Sequence, residues 1–184
     1  MARAKTITMR GRAERHSDAV DLIPNAGDAA IVYRGGLRSM AIRCPDGCGE
    51  IISVNLDPRT GPAWRLFERA GAVTLYPSVW RETGCEAHFI LWRDDLIWCD
   101  GLESPRWKDD ELKRRVRSIL PPRGAAHKHF EELAVQIDGI PWEVLWACNS
   151  LVADGVASSS VKGSRFGLAP DAPPTKSSIV DRRA

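Results

Sequence analysis

The sequence lacks any apolar run that approaches the roughly 20 residues needed for a membrane-spanning helix. Its basic opening, MARAKTITMRGRAERHSD, also lacks the apolar core of a secretory leader. The formal charge is only +2, so the composition provides no general attraction to nucleic acid. We therefore expect a cytoplasmic protein that acts neither on a membrane nor on nucleic acid.

The composition is otherwise that of a soluble protein, and 184 residues suit one domain with extensions. Its unusual features are five cysteines and seven tryptophans, several of which are neighbours in the sequence. In the cytoplasm thiols stay reduced, so clustered cysteines there are more often metal ligands than disulfides. The clustered cysteines are therefore candidate metal ligands.

The first part of the chain changes composition once. Residues 1–27 are polar and basic, and we interpret them as a loosely ordered arm. Residues 28–103 contain short β-type runs, such as AAIVYRGG, EIISVNL and HFILWR, separated by turn residues. The letters RDD between HFILW and LIWC are typical of a tight hairpin. This segment predicts a small antiparallel β domain, of a size that often needs a metal for stability.

Helical signals replace the β pattern in residues 104–155. Ser104 and Pro105 are predicted to cap and begin a first helix that ends before Pro121. AAHKHFEELAVQID and PWEVLWACNSLVADG predict two further helices. Residues 156–184, which are rich in Ser, Pro and basic residues, are predicted to be disordered. The expected fold class is therefore α+β, with the small antiparallel β domain followed by a short helical extension.

The stretch CPDGCGE places Cys44 and Cys48 on either side of a tight turn. A structural zinc ion needs four tetrahedral ligands, and Cys85, His88 and Cys99 are candidates for the other two. Four cysteines, or three cysteines with His88, would each close the coordination sphere and make the zinc structural. The remaining interpretation is that these thiols are buried as small core residues.

The stretch PSVWRETGCEAHF brings Ser78 and His88 into one short segment. A serine hydroxyl becomes a good nucleophile when a neighbouring base takes its proton, and histidine is the natural base near neutral pH. The other interpretations are a turn serine and a histidine that packs in the core or binds the metal. Candidates for a group that orients the imidazole are the carboxylates Glu50, Asp57 and Glu82.

The motifs CPDGCGE, LYPSVW, GCEAHFIL and IWC, in this order and spacing, resemble a family of small zinc-bearing bacterial proteins encoded in operons for ubiquitin-like protein conjugation. The resemblance covers about Ala41 to Cys99, and the four motifs are specific together although each is weak alone. Many members read CPCGC where this chain has Asp46. The resemblance therefore favours zinc coordination by the cysteines Cys44, Cys48, Cys85 and Cys99.

The resemblance implies a serine-type peptidase with Ser78 as nucleophile, His88 as base and a structural zinc ion. It implies cleavage after the C-terminus of a bacterial ubiquitin-like protein, during maturation, deconjugation or both. The expected partners are the C-terminal tail of that protein and the enzymes that conjugate it. The competing interpretation is a non-catalytic, zinc-ribbon-like adaptor in the same pathway. A zinc-dependent hydrolase is disfavoured because the ligand set is closed and no HExxH motif is present.

Overall fold

Two units make up the chain, Met1–Pro105 and Arg106–Ala184. The structure is a computed structural model that describes residues 3–100, 109–160 and 163–171. Sheets with mostly antiparallel pairing and four helices account for the regular structure of these residues. The expected α+β fold class is confirmed.

The first unit contains three sheets and one short helix among its described residues. Strands β1 to β4 form one sheet in chain order, β5 and β6 form a hairpin, and β7 to β9 form a second sheet in chain order. Strand β1 pairs in parallel with β2, and the other pairs are antiparallel. The elements are β1 (Thr8–Ala13), α1 (His16–Asp21), β2 (Asp28–Tyr33), β3 (Leu37–Arg43), β4 (Ile51–Asn55), β5 (Arg65–Arg69), β6 (Ala72–Tyr76), β7 (Val79–Trp80), β8 (His88–Trp92) and β9 (Asp95–Trp98).

The β7–β8–β9 sheet has one buried face and one outer face. Because successive side chains of a strand point to opposite faces, the inward positions Val79, Phe89 and Leu91 alternate with outward ones. The inward side chains are buried in the main core of the unit. Trp80 and His88 consequently lie on the outer face, where Trp80 is 60% exposed.

A two-residue turn joins β8 to β9. Arg93 and Asp94 have φ angles of 50° and 66°, the left-handed values that such a hairpin turn requires. The side chain of Asp94 accepts a hydrogen bond from the backbone N–H of Val73 at 2.9 Å, which fixes the turn against β6. The tight hairpin predicted from RDD is confirmed.

The structure differs from the sequence interpretation over residues 1–27, because residues 3–27 include strand β1 and helix α1 rather than a loose arm. The segment is polar, but β1 lies at a sheet edge and needs only a backbone partner, which β2 supplies. Its arginines are also paired, with Arg10 bound to Asp28 at 2.7 Å and Arg12 bound to Glu68 at 2.9 Å.

The second unit contains three helices and three short strands among its described residues. Its strands form one antiparallel sheet in the order β10, β12, β11. The side chain of Asp109 caps the first helix by accepting from the N–H of Leu112 at 2.8 Å. The elements are α2 (Asp110–Ile119), β10 (Lys128–His129), α3 (Phe130–Gln136), α4 (Pro141–Ala153), β11 (Ala157–Ser159) and β12 (Arg165–Leu168).

The predicted boundaries of this unit differ from the structure in two places. The expected cap at Ser104 and Pro105 lies outside the described residues, and the described part of the first helix begins at Asp110. Strands β11 and β12 lie within the tail that was predicted to be disordered. The sequence does not reveal them because each strand is too short to give a periodic pattern. The buried side chain of Phe166 anchors β12 in the core. The rest of that tail, residues 172–184, lies outside the described residues. Across the described ranges, no helix has the length and apolar character to cross a membrane.

Candidate active site and metal centre

Ser78 lies at the junction of two strands. Strand β6 ends at Tyr76, the Tyr76–Pro77 peptide bond is cis, and β7 begins immediately after Ser78. Strand β8 begins at His88, which lies directly opposite Trp80 in the antiparallel β7–β8 pair. Ser78 immediately precedes β7 and is two residues before Trp80 along the extended backbone. Both side chains therefore point to the face that also carries His88.

The side chains of Ser78 and His88 meet on this outer face. The Nε2 atom of His88 is 3.1 Å from the Oγ atom of Ser78, within the range that proton transfer requires. The indole ring of Trp80 lies beside the imidazole, with ring centroids 5.8 Å apart. The indole N–H of Trp64 donates to the backbone carbonyl of Ser78 at 3.2 Å and so holds the serine backbone in place. This arrangement is able to activate a serine hydroxyl.

Three of the predicted zinc ligands lie together. The Sγ atoms of Cys44 and Cys48 are each 3.5 Å from the Sγ atom of Cys85. All three sulfurs lie within 4.8 Å of one another. A tetrahedron with zinc–sulfur bonds of 2.3 Å would separate its sulfurs by roughly 3.8 Å, so the cluster fits three corners of a zinc site.

The turn between Cys44 and Cys48 explains how two sulfurs reach one point. Gly47 has a φ of 87°, a left-handed value that favours glycine, and its N–H donates to the carbonyl of Cys44 at 3.1 Å. The guanidinium of Arg81 lies 3.6 Å from the sulfur of Cys48, where a positive charge favours the thiolate that zinc binds. Burial raises the pKa of Cys44 to about 12, so this thiol needs a cation to lose its proton near neutral pH.

Cys99 and His88, the two candidates for the fourth zinc ligand, lie outside this group of three sulfurs. The N–H of Cys99 donates to the backbone carbonyl of His88 at 3.0 Å, which extends the β8–β9 ladder by one pair. The imidazole of His88 is directed to Ser78. The identity of the fourth ligand stays a prediction.

Two of the three carboxylates proposed to orient the imidazole have other contacts. Asp57 is buried and binds Arg59 at 2.8 Å and Arg38 at 2.6 Å. Glu50 lies 3.7 Å from the guanidinium of Arg81, beside the cysteine cluster. The third candidate, Glu82, is exposed at the start of the loop after β7.

Asp100 is a carboxylate that the sequence reasoning missed. The guanidinium of Arg3 donates to the carboxylate of Asp100 at 2.5 Å, and this hydrogen bond lowers the pKa of Asp100. The signal in the sequence was indirect: Asp100 directly follows Cys99, and Cys99 pairs with His88 only in the β8–β9 register that the structure reveals.

Comparison with known proteins identifies one family. Residues 16–99, which include Ser78, His88 and all four predicted cysteine ligands, match the BubE family, described as bacterial ubiquitination-like system serine protease. The match confirms the resemblance recognised from the four motifs and covers a little under half of the chain. Comparison with curated proteins and with solved structures gave no match.

Proposed function

We propose that this chain, whose residues 16–99 match a family of serine proteases of bacterial ubiquitination-like systems, cleaves after the C-terminus of a bacterial ubiquitin-like protein. In this proposal Ser78 is the nucleophile, His88 is the base and zinc is structural. The single observation that carries the proposal is the 3.1 Å separation between Nε2 of His88 and Oγ of Ser78. The position of this pair on the partly exposed face of a small sheet, rather than in the core, supports it further.

The first chemical stage forms an acyl-enzyme. The Oγ atom of Ser78 attacks the carbonyl carbon of the scissile amide while Nε2 of His88 takes the hydroxyl proton. The tetrahedral intermediate then collapses, the carbon–nitrogen bond breaks, and the imidazolium of His88 gives its proton to the leaving amine. The tail of the ubiquitin-like protein is left as an ester on Ser78. The same steps apply whether the amine belongs to a peptide extension or to a conjugated lysine.

The second stage releases the tail. Water gives a proton to Nε2 of His88 and attacks the ester carbon. When this second tetrahedral intermediate collapses, the bond between the ester carbon and Oγ breaks, and Oγ of Ser78 regains its proton from the imidazolium. The products are a free C-terminal carboxylate on the ubiquitin-like protein and the original Ser78 and His88.

The cysteine cluster is assigned a structural role in this proposal. Cys44, Cys48 and Cys85 would hold the zinc ion with a fourth ligand, proposed to be Cys99, and a closed set leaves no coordination position for substrate. When bound, zinc would tie the CPDGCGE turn to the segment that precedes β8. Because Cys85 is three residues before His88, this tie supports the position of the imidazole without a part in the bond-making steps.

A second serine–histidine pair in the chain provides an internal comparison. In the second unit, Oγ of Ser158 lies 3.1 Å from Nε2 of His127, the same separation as in the proposed site. The ring of His127 is packed against the backbone of Gly167, where an added Cβ would lie only 2.5 Å from Cδ2 of the ring. Ser158 and His127 also lie outside the residues that match the protease family. We therefore assign this pair a packing role and use it as a control.

The direct test is cleavage of a ubiquitin-like protein from a bacterial ubiquitination-like system, produced with a short C-terminal extension. Ser78→Ala and His88→Ala should each lower the cleavage rate by about a thousandfold or more. Ser158→Ala, which removes an identical hydroxyl–imidazole contact in the second unit, should leave the rate unchanged. A fluorophosphonate probe, which labels activated serines, should modify the unaltered chain and Ser158→Ala but not Ser78→Ala.

Two results would contradict the proposal. Cleavage that survives Ser78→Ala would exclude Ser78 as the nucleophile. An unaltered, zinc-loaded chain that binds the ubiquitin-like protein but neither cleaves it nor reacts with fluorophosphonate would favour the adaptor function instead.

A further inference from the structure

The pairing of β7 with β8 determines where the backbone N–H and carbonyl of Trp80 point. In an antiparallel pair, opposite residues alternate between pairs that exchange backbone hydrogen bonds and pairs that do not. The N–H of Arg81 donates to the carbonyl of Ala87 at 2.9 Å, so the Arg81–Ala87 pair is of the bonded kind. The next pair, Trp80 and His88, is therefore of the non-bonded kind. The carbonyl of His88 accordingly points the other way, to the N–H of Cys99.

It follows that the backbone N–H and carbonyl of Trp80 point away from β8, toward the open edge of the sheet. Within the described part of the chain, no backbone group pairs with either of them. The neighbouring outward carbonyl, that of Ser78, already accepts from the indole of Trp64. The open part of the edge therefore begins at Trp80, next to the proposed nucleophile.

The opposite edge of the same sheet is covered. The N–H of Leu96 donates to the carbonyl of Lys5 at 2.8 Å, and the N–H of Ile7 donates to the carbonyl of Asp94 at 2.7 Å. Thr6 forms a bridge with Asp95 between these two bonds. Among the described residues, β7 is thus the side of this sheet that remains available for another strand.

We propose that the free edge at Trp80 binds the C-terminal tail of the ubiquitin-like substrate as an added antiparallel strand. The inference rests on the proposed function, because the tail is placed by its scissile bond at Ser78. The tail runs antiparallel to β7 with its scissile residue at Ser78 but makes no bond to the Ser78 carbonyl, which already accepts from Trp64, so the third tail residue before the scissile bond lies opposite Trp80. That residue donates its N–H to the carbonyl of Trp80 and accepts from the N–H of Trp80.

An extended tail is the occupant that this edge fits. Strand β7 is two residues long, and its free edge offers one donor and one acceptor, enough to fix the register of a flexible peptide but too short for the edge of a folded sheet. The edge is continuous with the Ser78–His88 pair, where the substrate must lie. The exposed indole of Trp80 is on the same face, so it contacts the side chain of the third tail residue. The edge therefore determines both the register of the tail and a preference at that position.

The test uses binding rather than cleavage, so that it is independent of the chemistry. The Ser78→Ala chain is titrated with a synthetic peptide of the C-terminal tail of the ubiquitin-like protein that the unaltered chain cleaves, and the affinity is measured by calorimetry. Adding Trp80→Pro removes the outward N–H without removing a ladder bond, because proline is tolerated where an edge N–H faces solvent. It should weaken binding by at least about tenfold beyond the loss caused by Trp80→Ala, which keeps the N–H.

The peptide supplies a second test that needs no change in the protein. N-methylation of the third residue from the end removes the N–H proposed to bond Trp80 and should also weaken binding by about tenfold. N-methylation of the second residue, whose N–H points away from β7, should have little effect. Equal affinity of Trp80→Pro and Trp80→Ala, together with equal affinity of the two methylated peptides, overturns the inference. Tail binding that behaves as expected in a chain that fails to cleave overturns only the proposed function.

Discussion

The backbone N–H of Cys99 donates to the backbone carbonyl of His88 at 3.0 Å. Residues directly opposite each other on antiparallel strands carry their side chains on the same face, so the thiol of Cys99 and the imidazole of His88 share the outer face of the sheet. Cys85, three residues before His88, meanwhile belongs to the sulfur cluster. The start of β8 thus lies between the candidate metal centre and the candidate active site.

The first prediction concerns the zinc ligands. Cys85→Ala and Cys99→Ala should each reduce the zinc content of the purified protein from about one ion per chain, because each removes one of four ligands. His88→Ala should retain the ion, as should Cys148→Ala, which removes a buried thiol of the second unit. Mass spectrometry of the metal content measures this directly. Loss of zinc with His88→Ala but not with Cys99→Ala would assign the fourth position to the imidazole.

The second prediction concerns Asp100 as a positioning residue for His88. Asp100→Asn should lower kcat by about tenfold or more with little change in KM, because a positioning carboxylate would act on the base rather than on the bound tail. Asp100→Glu should restore part of the rate. Asp46→Asn is the matched control, since Asp46 also binds Arg3, at 2.7 Å, but belongs to the CPDGCGE turn. Equal losses in the two Asn variants would mean that only the contact with Arg3 matters.

The third prediction concerns the pH dependence of stability at Asp57. Hydrogen bonds from Arg59 and Arg38 hold the pKa of Asp57 well below its usual range, so the ionised carboxylate stabilises the folded state. This contribution is fully present above the unfolded pKa of about 3.9 and is lost as the pH falls toward the lower folded value. Asp57→Asn should therefore lower the urea midpoint of unfolding at pH 7. The difference in urea midpoint between this variant and the unaltered chain should become smaller below about pH 4. A difference in urea midpoint that stays constant across this pH range would show that ionisation of Asp57 does not stabilise the folded state.

The fourth prediction concerns the two faces of the β7–β8–β9 sheet. Phe89→Ala should lower the free energy of unfolding of the first unit by about 3–5 kcal/mol, because Phe89 is fully buried in the core. Trp80→Ala, on the outer face of the same sheet, should change it by less than about 0.5 kcal/mol. Urea denaturation followed by circular dichroism compares the two. A similar cost for both would mean that the indole of Trp80 is packed rather than available to substrate.

Local pattern was sufficient for part of the fold. The RDD turn was predictable because two consecutive residues in a left-handed conformation leave a short-range signature between β runs. Strand β1 was not predictable, because TMRGRA is polar and becomes a strand only through its parallel pairing with β2, twenty residues further along the chain. Strands β11 and β12 were missed for the same reason: their backbone partners, rather than their own residues, define them.

The candidate site divides in the same way. Ser78, His88 and the turn with Cys44 and Cys48 were found from motifs, since each motif is contiguous in the sequence. Asp100 could not be found so, because its neighbour Cys99 is placed opposite His88 only by the register between β8 and β9. The direction of the Trp80 backbone groups was equally hidden, since sequence does not determine which pairs of a ladder exchange hydrogen bonds.

The segment from Arg3 to Ile7 has a practical consequence for anyone who trims the gene. The carbonyl of Ala4 accepts a hydrogen bond from the indole N–H of Trp98 at 3.1 Å, and the backbone N–H of Ala4 donates to the carbonyl of Pro45 at 2.7 Å. The guanidinium of Arg3 stacks on the indole of Trp98, 4.3 Å from the ring centroid. A fragment limited to residues 16–99, the range of the family match, would lack these contacts. It would leave the outer edge of β9 unpaired and the indole of Trp98 exposed. Such a truncated protein would be prone to aggregate. A lack of activity in this fragment would therefore not show that the intact protein is inactive.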